Sequence, residues 1–232
     1  MKNLRKVMVA TPALTGDVSS WFLDSMVRSV KLCYDNGIDL CPVTLINESI
    51  LPMARNELFD IAYVSNAESV IFIDSDQAWD PEALLEVVNS DYDVLGLPVV
   101  SKTDEQGQFN VKIHNPDRIE YDSNGYIKVN AIGTGFLKLS NKVVKSLWEY
   151  SEAVEFRGKT LRNVCKYAVD ENGFIGEDIF LCHKIKELGY DIWLNPKFTC
   201  AHIGNKIWFG DFLDFLTTSF PRKTKGDGSR TV

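Results

Sequence analysis

Ser69 to Val88 reads Ser-Val-Ile-Phe-Ile-Asp-Ser-Asp-Gln-Ala-Trp-Asp-Pro-Glu-Ala-Leu-Leu-Glu-Val-Val. Val70 to Ile73 form a short apolar run rich in β-branched residues, the pattern of a strand buried on both faces. The run stops at Asp74-Ser75-Asp76. Asp80-Pro81 then supplies an N-cap with proline at the first helical position, and Leu84, Leu85, Val87 and Val88 give the helix its apolar face. Two carboxylates therefore stand just past the C-terminal end of a buried strand, where open α/β sheets receive their ligands. Strand residues two apart point the same way, so Asp74 and Asp76 could share one divalent cation if the extended geometry continues.

Working outward, the same alternation repeats. Lys6 to Ala10 predict a first strand, broken at Thr11-Pro12. A helix is expected from Asp17 to about Asn36, with Trp21, Phe22, Met26, Val30 and Cys33 inward and Asn36-Gly37 at its close. Ile38 to Ile46 predict a second strand, Pro52 to Val64 a second helix, and Asp93 to Val99 a fourth strand. Strand, helix, strand, helix, strand, helix, strand is a doubly wound α/β pattern with parallel strands. The second half differs. Ile119 to Asn130 reads as a hairpin around Ser123-Asn124-Gly125, and Gly133-Thr134-Gly135 punctuates the entry to another strand. Helices are expected at Lys142 to Tyr150 and from Gly176-Glu177-Asp178 through Leu188, closed by Gly189. Short strands follow at Tyr190 to Leu194 and Phe198 to His202.

The chain has 232 residues, 45% of them hydrophobic and 25% charged, enough core for one large domain. We take residues 1–218 as a single catalytic domain and 219–232 as a polar tail expected to be mobile. The net charge of −7 argues against a broad polyanion-binding face. No stretch predicts a membrane span. The basic start, Met1 to Lys6, leads into an apolar run too short for a signal peptide. Cys33, Cys41, Cys165, Cys182 and Cys200 contain no Cys-x-x-Cys pair, so reduced, mostly buried thiols of a cytoplasmic protein are expected.

Several residues carry two readings. Asp74 and Asp76 either hold a divalent metal on a diphosphate or end a strand in solvated turns. His202 is a core histidine or, if Asp76 binds metal, a further ligand that favours manganese. Lys206 could meet a phosphate as a point charge. Glu177 and Asp178 favour the helix N-terminus through its dipole, or one of them is a general base. Arg55 is simply exposed, or pairs with Glu57 or Asp60, or it reaches a pyrophosphate with its planar fork. Gly133-Thr134-Gly135 is backbone approaching a sugar, or a bulge. Trp79, Trp193 and Trp208 are sugar-stacking platforms or packing residues.

Taken together, Val9-Ala10-Thr11-Pro12, Ala54-Arg55-Asn56, Ile73-Asp74-Ser75-Asp76, Gly133-Thr134-Gly135-Phe136, Gly176-Glu177-Asp178 and His202-Ile203-Gly204 resemble the GT-A class of nucleotide-sugar glycosyltransferases. The likeness is to small family-2-like members of bacteriophages and large DNA viruses, and it spans Lys6 to Gly204. It implies a Rossmann-like, mostly parallel twisted sheet with a smaller antiparallel part toward the acceptor. It implies that Thr11 and Pro12 border the nucleoside pocket and that Asp74 contacts the ribose or a metal-bound water. Asp76 and His202 would coordinate Mn2+ or Mg2+ on the diphosphate of a donor, a UDP-sugar before others. Asp178, or second Glu177, would be the base of an inverting transfer; a retaining enzyme on this fold needs none.

The Gln-x-x-Arg-Trp element of processive family-2 enzymes is absent from the sequence. Two other classes are disfavoured. A haloacid dehalogenase phosphatase carries its Asp-x-Asp after the first strand, with a threonine behind it. A nucleotidyltransferase carries a glycine-rich, arginine-containing loop after strand one. A non-catalytic nucleotide-sugar-binding module stays as the alternative. The acceptor expected is a glycan or small hydroxyl compound, or a hydroxymethylated base in phage DNA, toward which Arg222, Lys223, Lys225 and Arg230 make the tail locally basic.

Overall fold

The computed structural model describes residues 4–103, 108–171 and 173–220. The basic tail residues lie outside that range. Its first half runs β1 (Arg5–Pro12), α1 (Ser20–Asp35), β2 (Ile38–Leu45), α2 (Leu51–Ser65), β3 (Ser69–Ile73), β4 (Gln77–Ala78), α3 (Pro81–Asn89) and β5 (Val94–Gly96). The second half continues with β6 (Val111–Ile113), β7 (Ile127–Ile132), β8 (Phe136–Ser140) and α4 (Asn141–Tyr150). Two hairpins follow, β9 (Ala153–Phe156) with β10 (Lys159–Arg162) and β11 (Ala168–Asp170) with β12 (Gly173–Ile175). The last elements are α5 (Glu177–Glu187), β13 (Ile192–Leu194), β14 (Ala201–Ile203), β15 (Ile207–Trp208) and α6 (Phe212–Ser219).

Eight strands form one sheet in the order β2-β1-β3-β8-β5-β13-β7-β6. β1, β2, β3, β5, β6 and β13 run one way; β7 and β8 run against them. The sheet is thus mostly parallel, as expected, with one correction. β5 does not lie beside β3; antiparallel β8 separates them, pairing Ile73 with Phe136 on one side and Gly96 with Leu137 on the other. Burial on both faces makes a strand legible but does not say which strand adjoins it. β5 is also shorter than the expected Asp93 to Val99, because Pro98 has no N–H for the ladder. At Gly96 a Cβ would stand 2.5 Å from Cδ1 of Ile132 and 2.9 Å from the Phe136 carbonyl, so only glycine lets these strands close.

Strand alternation sends Val7 and Val9 to one face and Met8 and Ala10 to the other. The first pair packs with Phe22, Met26, Leu84 and Val87 of α1 and α3. The second packs with Leu58, Phe59, Val143, Leu147, Leu181 and Ile185 of α2, α4 and α5. The helices therefore sandwich the sheet.

α1 starts after Ser19, whose Oγ accepts from the Phe22 N–H at 3.0 Å, and not at Asp17. Trp21 and Val30, expected inward, are exposed. Trp79 decides the rotation: its indole Nε1 donates to Ser29 Oγ at 3.0 Å, and Ser25 Oγ donates to its carbonyl at 2.8 Å. Burying a tryptophan requires a partner for its N–H, so the serines turn in. Trp79 is thereby a packing residue, not a sugar platform. Ser219, expected in the tail, instead ends α6. All five cysteines are free, and four are buried. Among the described residues no helix is long and apolar enough to cross a membrane.

Candidate active site

The sheet changes direction of growth at β1, which has β2 on one side and β3 on the other. A crevice forms outside the strand ends at such a point. Here it is a cavity of about 270 Å³ lined by Pro12, Glu48, Asp74, Asp76 and His202, with Leu14 and Leu51. A larger concavity, of about 600 Å³, lies among Glu82, Glu86, Tyr92 and Tyr126 and includes none of the candidate catalytic, donor-binding or metal residues read from the sequence.

Asp74 leaves β3 with its N–H donating to the Gly135 carbonyl at 3.3 Å. Its Oδ1 accepts from Arg55 Nη2 at 2.9 Å. Arg55 is 1% exposed, and its Nε lies 3.5 Å from Glu177 Oε1. Burial alone would lower the guanidinium's pKa; Asp74 and Glu177 outweigh it and hold the charge more firmly than in water. Among the described residues Nε and Nη1 meet no hydrogen-bond partner, so the ion pairs compensate this buried group only in part. Arg55 neither pairs with Glu57 or Asp60 nor lies open to a pyrophosphate. It is the buried brace between Asp74 and Glu177.

Asp76 sits differently. The short strand β4 pairs with β14, His202 opposite Gln77, and the Ile203 N–H donates to the Asp76 carbonyl at 2.8 Å. His202 Nε2 lies 3.3 Å from Asp76 Oδ2. Its Nδ1 lies 2.9 Å from the Val100 carbonyl. A carbonyl cannot donate, so Nδ1 carries a proton; Nε2 donates to the carboxylate when the ring is charged and turns a lone pair to it when the ring is neutral. Lys102 Nζ closes the group, 2.5 Å from the same Oδ2. Burial would raise the Asp76 carboxyl, but hydrogen bonds from His202 and Lys102 prevail and hold it at about 2.

The donor set suits Mg2+ or Mn2+ in one respect. An imidazole fixed by a carbonyl behind it and a carboxylate ionised at any ordinary pH face one another, with an ammonium standing in for a cation. Asp74 lines the same cavity, but Arg55 holds one of its oxygens. Among the described residues no three His, Cys, Asp or Glu side chains cluster to hold a metal. Asp76 and His202 alone would leave most of the coordination of such an ion to phosphate oxygens and water, as is usual for Mg2+.

Gly133-Thr134-Gly135 joins this corner to the helix carrying Glu177 and Asp178. A Cβ at Gly135 would stand 3.5 Å from Asp74 Oδ2, and one at Gly133 3.7 Å from Asp178 Oδ2. Thr134 is buried. Gly176 caps α5, and any Cβ there would meet Asp178 Oδ1 at 2.8 Å. The adjacent carboxylates diverge. Glu177 is buried beside Arg55, and burial raises its pKa more than Arg55 lowers it. Asp178 is half-buried, and its Oδ1 accepts from the Ile179 N–H at 2.7 Å.

Thr11 is buried, and Pro12 lines the cavity. Lys206 lies between β14 and β15 with Nζ 5.3 Å from the Trp208 ring centroid, outside the residues lining the cavity. Sequence reasoning missed Lys102 and Glu48. Glu48 is buried in the cavity wall, accepting from the Ile50 N–H at 2.8 Å and pairing with Arg157 at 2.8 Å. Neither residue belongs to a periodic segment; a charge beside a strand end was the one available clue.

No family model matches the chain, and no curated protein matches it. A197 from STIV superposes with a TM-score of 0.55 at 15% identity, over 89% of this chain and 94% of that one. The fold, a mostly parallel central sheet between helices, is thus shared with A197. Other structural neighbours are TarS of S. aureus in complex with UDP-GlcNAc and a UDP-glucose pyrophosphorylase complexed with UDP-glucose. The first gives a TM-score of 0.48 at 13% identity over 90% of this chain and 61% of that one. The second gives 0.46 at 9% identity over 93% and 97%. At these identities the likeness is one of fold.

Proposed function

We propose that the chain is a glycosyltransferase that moves a sugar from a nucleoside-diphosphate sugar, a UDP-sugar before others, to an acceptor hydroxyl. The observation that carries this reading is the placement of two chemically distinct corners along one glycine segment. Gly135 abuts Asp74, beside the Asp76–His202 pair, and Gly133 abuts Asp178.

The donor corner suits a diphosphate. Asp76 and His202 would hold Mn2+ or Mg2+, which supplies positive charge against the departing diphosphate. Pro12 and Leu14 give the cavity an apolar wall for the nucleoside. Arg55 fixes Asp74, leaving Asp74 Oδ2 directed toward the glycine segment and not toward the guanidinium.

At the other corner an acceptor hydroxyl attacks the anomeric carbon. The new carbon–oxygen bond forms as the bond to the diphosphate oxygen breaks, and the hydroxyl proton passes to the Asp178 carboxylate. Attack from the face opposite the leaving group inverts the anomeric centre. Asp178 is preferred over Glu177 as base because Glu177 is buried against Arg55, whereas Asp178 is half-buried and lies over two glycines that admit a close substrate. The acceptor class proposed is a glycan or small hydroxyl compound, with hydroxymethylated DNA second because the net charge of −7 opposes a broad polyanion-binding face.

The test is a panel of nucleotide sugars with Mn2+, each offered glycan, small-hydroxyl and hydroxymethylated-DNA acceptors, with the product anomer determined. Asp178→Asn is expected to lower kcat by about 10²–10⁴-fold with UDP affinity unchanged. An unchanged rate moves the mechanism to retention or to Glu177. Binding without turnover on any acceptor favours a nucleotide-sugar-binding module.

A further inference from the structure

The ammonium of Lys102 occupies the place where the proposed site would need a cation. It lies 2.5 Å from Asp76 Oδ2, the same oxygen that His202 Nε2 faces at 3.3 Å. Where the imidazole is neutral, its Nε2 lone pair turned toward Asp76 Oδ2 leaves the pair short of positive charge, and Lys102 provides it.

Its attachment explains why it can also leave. The backbone at Val99 to Ser101 is pinned on both sides: Val100 N–H donates to the Cys200 carbonyl at 3.2 Å, Ser101 N–H to the Gln108 carbonyl at 2.8 Å, and Asn110 N–H to the Val99 carbonyl at 3.2 Å. The Val100 carbonyl is the one that orients His202. The strap that aims the imidazole therefore also carries the lysine, two residues on. Beyond that fixed root the side chain is an arm of four methylenes, 36% exposed, passing Gly204, where a Cβ would stand 3.7 Å from Lys102 Cε. Ion pairs this exposed are weak and exchange readily with solvent. A compact point charge on a flexible stem is also the usual lysine partner of a phosphate.

Two cations cannot share Asp76 Oδ2 at contact distance without strong repulsion. We propose that Lys102 is a resident counter-ion that competes with the divalent metal for Asp76 in the donor-free protein and passes to the donor's diphosphate when metal and donor enter together. This rests on the reading of Asp76 and His202 as the cation site. It adds an order to that reading: metal alone binds poorly, and the diphosphate draws it in by giving the lysine somewhere else to go.

The experiment is Mn2+ titration of the full chain followed by electron paramagnetic resonance of the free ion, with and without UDP, in wild type, Lys102→Met and Asp76→Ala. Circular dichroism checks that each variant is folded. Lys102→Met is expected to bind Mn2+ alone about tenfold more tightly than wild type and to bind UDP in saturating Mn2+ about tenfold more weakly. UDP should raise Mn2+ affinity in wild type and much less in Lys102→Met. Equal Mn2+ affinity in wild type and Lys102→Met, both abolished by Asp76→Ala, overturns the counter-ion role and leaves the metal site standing. Absence of Mn2+ binding in every form, with or without UDP, overturns both.

Discussion

A fully buried guanidinium persists only where carboxylates lie against it, and Arg55 has Asp74 at 2.9 Å and Glu177 at 3.5 Å. Removing it leaves Glu177 buried without its cation and Asp74 in the cavity wall without its partner. Arg55→Ala is expected to lose about 3–5 kcal/mol of stability at neutral pH, read from urea unfolding. The loss should shrink toward acid pH, where the orphaned Glu177 can protonate, and Arg55→Ala with Glu177→Gln should recover part of it. A loss that does not vary with pH would mean that packing, not charge, keeps Arg55 in place. Much of the site was legible at this scale. Asp74, Asp76, Asp178 and Glu177 stood out because each follows a strand end or opens a helix. Arg55 stood out as well, but its pairing with Asp74 and Glu177 did not, since no local pattern encodes contacts between residues so far apart in sequence. Lys102 was silent for the same reason.

At the scale of the element, β8 holds the least expected feature of the sheet. Lys138 lies in its middle, 4% exposed, with Nζ donating to the Ser90 carbonyl at 2.6 Å and Ser90 Oγ at 3.1 Å. Burial pushes its pKa down to about 8, against 10.5 for an ordinary lysine, despite the opposing pull of Glu68. Between those values the unfolded chain binds a proton that the native state has released, so stability rises with pH across that window. Wild type should therefore gain on the order of 3 kcal/mol relative to Lys138→Met as pH rises from about 8 to about 10.5. Parallel stability curves would refute the shifted lysine. Capping was the most readable property of the elements. Asp80-Pro81 and Gly176 start α3 and α5 where expected because cap chemistry is local. The rotation of α1 was unreadable, because it answers to the indole of Trp79, which is distant in sequence.

For the molecule as a whole, the strand–helix alternation of the first half made the α/β class plain, and burial on both faces made β3 plain. The order of the strands was not, since the strand that fills the gap between β3 and β5 comes from the second half of the chain. That insertion has a consequence during biosynthesis. β1 to β3 can assemble as soon as they leave the ribosome, yet β3 then presents a bare edge of five buried residues, Ser69 to Ile73, until Ser140 has been made. Such an edge recruits strands from other chains. A fragment of residues 1–100 is expected to aggregate when expressed alone, as seen by size-exclusion chromatography, and a monomeric folded fragment would contradict this. The nascent chain is thus most exposed to its neighbours on a polysome while the segment between β5 and β8 is being translated, and slow decoding there would lengthen the interval in which a chaperone must shield it.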